Sequence, residues 1–166
     1  MKVVFFYVGA LFLLTSCSNI NFLLKTNDTS NFLKNKTSIY VSGWDNPALK
    51  DTLFSRIGSA DEKRFLLTAQ VSEKITKKSI SENQVAQKID YKIIINYSLD
   101  DTNDRCPEIK NKQISNFSFT PKSSGYNFAS DVLLKNLYKE AILNNVNNFI
   151  TYINNKLKSH KCLNEN

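Results

Sequence analysis

Histidine is almost missing from this chain: its 166 residues include one, along with one Met, one Trp, three Pro, three Cys and four Gly. Each scarcity excludes something. The single His160 stands beside Lys161 in a polar stretch and lacks the oriented partner that a general base needs. No HExxH, Gly-rich phosphate loop or Gly-x-Ser-x-Gly pattern occurs. Asp101, Asn103 and Asp104 follow part of a calcium-loop spacing. The Gly expected at the sixth place and the Glu at the twelfth are absent, so a solvated turn is expected and no metal. No apolar run approaches the ~20 residues of a spanning helix. Pro-rich runs, Gly/Ser repeats and internal repeats are also lacking. An enzyme is not expected, and neither is a cofactor beyond a covalent lipid.

What is present begins at Met1-Lys2, one positive charge, followed by an almost wholly apolar run from Val3 to Leu14. That is the layout of a secretory signal. Leu14-Thr15-Ser16-Cys17 follows directly and resembles the bacterial lipobox, in which an aliphatic and two small residues precede a lipidated cysteine. Residues 1–16 are therefore expected to be removed and Cys17 to carry the anchor. Several acyl chains hold such a protein stably, because each buried CH₂ contributes about 0.8 kcal/mol. Ser18, in place of Asp, favours the outer membrane by resemblance to the known sorting pattern.

Hydrophobic residues make up 42% of the chain, enough for the core of one domain. The formal charge is +7. Export excludes nucleic acid as the acidic partner. It leaves anionic lipids, lipopolysaccharide or an acidic protein surface, or solubility alone. Cys106 and Cys162 remain as an even pair in an oxidising compartment.

Residues 17–36 read as the lipidated cysteine and a polar tether. Phe22-Leu23-Leu24 and Phe32-Leu33 form apolar islands in it, able to dock on the domain or on a partner. The domain is expected over 37–158, with a polar tail at 159–166. Ser38 to Ser42 reads as a strand closed by Gly43. Pro47 and the spacing of Leu49, Leu53 and Ile57 predict a helix over 46–57, stopped by Gly58. Trp44 is expected to plug the core at this strand-to-helix corner. A second strand is expected at 64–72 and an irregular link at 73–84, where Lys74, Lys77 and Lys78 fall.

Ile89, Tyr91, Ile93, Ile95, Tyr97 and Leu99 alternate strictly and predict a third strand with one buried face. Residues 100–104 read as a polar turn. A fourth strand is expected over 111–120 and a long helix over 127–158. Its stripe would run through Ala129, Leu133, Leu137 and Ala141, then Ile142, Val146, Phe149, Ile153 and Leu157. The order β-α-β-β-β-α predicts an α+β two-layer sandwich, with two helices on one face of a mixed, mainly antiparallel four-stranded sheet. In that topology the last helix returns toward the turn that holds Cys106, which favours a Cys106–Cys162 disulfide. Two free thiols, or pairing with another protein, are the alternatives.

This order on a lipidated chain resembles the LptE family of lipopolysaccharide-assembly lipoproteins, in its alphaproteobacterial form. The likeness is carried by residues 14–17, by Gln87-Lys88-Ile89-Asp90-Tyr91, and by Gly125-Tyr126-Asn127-Phe128-Ala129-Ser130-Asp131. It implies a non-enzymatic outer-membrane lipoprotein, facing the periplasm or inside the lumen of the β-barrel protein LptD, that helps place lipopolysaccharide in the outer leaflet. The family's lipid-binding Arg ahead of strand three has no clear counterpart here, and Lys88 is the nearest cation. Lys110 and Lys112 are further candidates for phosphate contact, since such hydrogen bonds are charge-assisted. The opposing reading is that these lysines guard a sheet edge. The alternative function is an accessory lipoprotein of a lipid-transport ATPase.

Overall fold

A computed structural model of the chain describes residues 32–44, 46–58, 63–80, 86–103, 106–121 and 128–159. The expected signal, the expected lipidation site Cys17, most of the tether, and the tail with His160 and Cys162 lie outside the described residues.

The elements are β1 (Thr37–Gly43), α1 (Asn46–Ile57), β2 (Phe65–Ile80), β3 (Ala86–Asp101), β4 (Ile109–Phe119) and α2 (Phe128–Ser159). The four strands form one sheet in the order β1-β2-β3-β4. β1 pairs parallel to β2, and β2–β3 and β3–β4 pair antiparallel. The parallel pair follows from the α1 crossover, since parallel neighbours cannot be joined by a tight turn. This is the α+β, mixed-sheet architecture expected from the sequence.

Odd-numbered residues of the central strands supply the core. Phe65, Leu67, Ala69 and Val71 of β2 share this face with Ile93, Ile95, Tyr97 and Leu99 of the neighbouring β3. α1 brings Leu49, Leu53 and Ile57 to the same cluster, and α2 brings Ile142, Val146, Phe149, Ile153 and Leu157. Both helices therefore cover one face, and no described helix covers the even-numbered face of the sheet.

The ordered packing reaches back beyond Thr37. Leu33 is fully buried, and the Asn35 amide donates to the Ile57 carbonyl at 2.8 Å, capping the end of α1. The Phe32-Leu33 island thus docks on its own domain.

Four local expectations need correction. The stretch 73–80 is strand, not a link: β2 pairs with β3 from Phe65 to Ile80. Polar side chains are tolerated there because the ladder with β3 satisfies the backbone, while the residues from Lys74 to Lys78 are exposed on both faces. Residues 100 and 101 extend β3 instead of opening the turn. Asp101 is buried, its Oδ1 3.9 Å from Arg64 and accepting from the Asn103 amide at 3.1 Å. Along α2, Leu133 is 53% exposed and Leu137 only half-buried. Steps of four residues rotate about 40° beyond a full turn, so two steps back from Ala141 leave the core face. Finally, Trp44 does not plug the core. It is 40% exposed and packs on the rim, its ring 5.1 Å from that of Tyr138.

Candidate functional site

The open face of the sheet is the candidate site. Period-two alternation sends the even residues there, and registers of 166 and 208 in residue-number sums, as in Lys74↔Lys92 and Asn96↔Lys112, keep the parity across all three strands. The face therefore collects Lys74 and Lys78 from β2, Lys88 and Lys92 from β3, and Lys110 and Lys112 from β4.

Two cross-strand pairs on this face set like charges opposite each other: Lys74 against Lys92 and Lys78 against Lys88. Directly opposed like charges destabilise a sheet. At the second pair the cost is offset, because Lys78 bridges to Asp90 at 2.5 Å. At the first pair neither ammonium has an ion-pair partner among the described residues. Lys74 and Lys92 line a groove of about 370 Å³ with Thr76, Asn116 and Ser118, and with Asp90, whose carboxylate is taken up by Lys78 and the Ser118 hydroxyl. Two cations beside hydroxyl and amide groups form a surface suited to an oxyanion.

Among the candidates named from the sequence, the structure brings Lys110 and Lys112 together. They line a second groove of about 460 Å³ with Thr68, Gln70 and Asn96. Lys110 is already engaged, 2.9 Å from Glu108, which also accepts from the Ser98 hydroxyl at 2.7 Å. Lys112 is exposed and unpaired among the described residues. Lys88 lies apart from them, near the start of β3 and opposite Lys78. Lys74 and Lys92 were not singled out by the sequence. Lys92 was legible on the even face of the third strand, but the parity that places Lys74 opposite it was concealed because 73–84 reads as a link. Cys106 is half-buried against the core and disulfide-bonded, whereas Cys162 is outside the described residues.

The carboxylates on this face carry a pH prediction. Asp90 is held below its ordinary 3.8 chiefly by the hydrogen bond from Lys78, then by that from Ser118. Glu108 is likewise held below 4.5 by Lys110 and then Ser98. A depressed folded-state value means that the contribution exists above the unfolded value and is lost as pH falls through the folded one. Acid therefore releases Lys78 and Lys110, and neutral pH keeps them bridged. Both sites are solvent-exposed, so the effect on stability is small. In Lys78→Ala the Asp90 midpoint should rise toward 3.8 in a carboxyl NMR titration. An unmoved midpoint would assign the depression to another group.

No protein family matches the sequence, and no curated protein does. Solved structures do share the fold. A protein of Caulobacter crescentus assigned as a lipoprotein superposes with a TM-score of 0.58, over 80% of this chain and 96% of that one, at 12% identity. Rare lipoprotein B of Shewanella oneidensis superposes with a TM-score of 0.53, over 74% of this chain and 98% of that one, at 10% identity. At such identities the likeness is one of fold: this chain has the fold of bacterial lipoprotein structures.

Proposed function

We propose that this chain is a non-enzymatic, lipid-anchored outer-membrane lipoprotein that helps deliver lipopolysaccharide to the outer leaflet in complex with the barrel protein LptD. The observation that carries the reading is the uncompensated Lys74–Lys92 pair on the open sheet face. A fold gains nothing from two unanswered cations held opposite each other, and a phosphate-bearing glycolipid would answer both. Leu14-Thr15-Ser16-Cys17 supports the anchor, and the fold shared with the two lipoprotein structures supports the setting. The work needs no bond made or broken. It consists of shape fit to the barrel and transient charge-assisted contacts.

Co-purification from detergent extracts tests the partner: a large β-barrel should come with the chain, and subunits of a transport ATPase in its place would favour the alternative. Binding of purified lipopolysaccharide tests the face. Lys74→Glu with Lys92→Glu should weaken it more than Lys110→Glu with Lys112→Glu, because Lys110 is already paired with Glu108. Both double variants should keep the wild-type melting temperature within a few degrees, since exposed charges contribute little to stability. Unchanged binding in both would leave Lys110 and Lys112 as edge guards and would take the glycolipid role from Lys74 and Lys92.

A further inference from the structure

The sheet has a step in its outline. β1 ends at Gly43, opposite Val71, and the Trp44 amide then donates to the Val71 carbonyl at 3.0 Å. There the chain turns away into α1, but β2 runs on to Ile80. Its other side stays paired with β3 throughout, as in Ser72↔Ile94, Lys74↔Lys92 and Lys78↔Lys88. Along a strand, the amide and carbonyl of one residue point to the same side, and those of the next residue to the other. Val71 faces β1, so Glu73, Ile75 and Lys77 present their backbone groups on the same side, where no described strand receives them. Ser72, Lys74, Thr76 and Lys78 bond to β3.

We propose that this free edge of β2, residues 72–80, receives an extended segment of a partner protein as an added strand, one whose side chains alternate between acidic and apolar. The edge dictates both halves of that pattern. On the open face an added strand meets Lys74, which no carboxylate among the described residues bridges, and Lys78. On the helix face it meets Ile75, 51% exposed, set between Glu73, which Tyr138 engages, and the exposed Lys77, with an aromatic shelf beyond. Tyr91 lies opposite Ile75 in the ladder, Tyr138 packs edge-on against Tyr91 at 5.3 Å, and Trp44 packs on Tyr138. The Tyr138 hydroxyl also donates to Glu73, fixing the shelf to this edge.

Main-chain hydrogen bonds would supply affinity, and the alternating faces specificity. The corner at Trp44 stops the added strand at one end and so sets its register. That stop distinguishes this edge from the outer edges of β1 and β4. A second copy is the wrong occupant, because edge-to-edge pairing would bring Lys74, Lys77 and Lys78 against their own kind. The proposal does not depend on lipopolysaccharide binding.

The full-length chain in detergent micelles would be titrated with a synthetic peptide in which Glu and Val alternate, and with its Lys/Val counterpart. Amide hydrogen exchange is the readout. The Glu73, Ile75 and Lys77 amides should slow about tenfold or more with the Glu/Val peptide only. Those of Lys74 and Thr76, already bonded to β3, should not change. Ile75→Pro removes one outward amide without touching the β3 ladder and should weaken binding about tenfold. Lys74→Glu with Lys78→Glu, the two cations of the open face, should invert the preference toward the Lys/Val peptide, and it keeps every backbone donor in place. Equal response to both peptides, no binding of either, slowing at the β1 or β4 edge, or self-association through the same amides would overturn the proposal.

Discussion

Phe149→Ala should lower the unfolding free energy by about 3–5 kcal/mol, as for other fully buried aromatic truncations. Phe149 has no exposed surface, and its ring stacks on Tyr97 with centroids 3.9 Å apart. Beneath it lies the polar link that joins α2 to the sheet. The Tyr97 hydroxyl donates to Asn145 Oδ1 at 2.9 Å, and Asn145 Nδ2 donates to Ser115 Oγ at 3.2 Å. Burial pushes the Tyr97 phenol well above its ordinary range, so it stays a neutral donor even in alkali that would ionise an exposed tyrosine. Losing the Phe149 ring opens a cavity directly over this link. Ile142→Ala, also fully buried, should cost about 2–5 kcal/mol. Leu137→Ala should cost only about 1 kcal/mol, because Leu137 is half-buried. Urea unfolding of the three variants gives the order. A loss at Leu137 equal to that at Phe149 would mean that another face of α2 meets the sheet.

Gly43→Ala is the second large effect, at about 3 kcal/mol or more from backbone strain and overpacking together. Gly43 has φ +96°, and a Cβ there would lie 2.0 Å from the Val71 carbonyl oxygen. That oxygen accepts from Trp44, so relief requires moving the β1–β2 ladder or surrendering the corner bond. Gly58 makes the useful contrast. It also has positive φ, +82°, but its Cβ would meet the Asn35 side chain at 2.2 Å. A side chain can swing aside more cheaply than a paired backbone. Gly58→Ala should therefore cost less, about 1–2 kcal/mol. The Trp44 amide should exchange faster in Gly43→Ala than in Gly58→Ala. The reverse ranking would mean that Gly43 is replaceable and the corner is held elsewhere.

The parts legible in the sequence were those whose own periodicity matched their burial. α1 spans residues 46–57 as expected, because Pro47 opens it, Gly58 closes it, and Leu49, Leu53 and Ile57 form a single stripe. β3 was legible because its odd residues are apolar along the strand, and Tyr91 to Leu99 are indeed buried. The second half of α2 was legible for the same reason. Its first half was not: Leu133 continues a plausible stripe, yet lies where the helix has rotated away from the sheet.

Other features are set by partners distant in the chain. Nothing local in Glu73-Lys74-Ile75-Thr76-Lys77-Lys78 marks a strand, and only the ladder offered by β3 makes it one. The facing of Lys74 and Lys92 depends on that register, so the oxyanion-suited groove could not be read from either lysine alone. Asp101 reads as a turn residue until Arg64, the residue just before β2, comes beside it. Trp44 reads as a core residue until the turn of the chain at Gly43 puts it on the rim. By itself the sequence determined which residues are apolar, at what spacing, and hence the elements and the buried face. Tertiary structure alone decided which charges oppose each other and which edge stays open, because those depend on pairing between strands and not on any single strand's pattern.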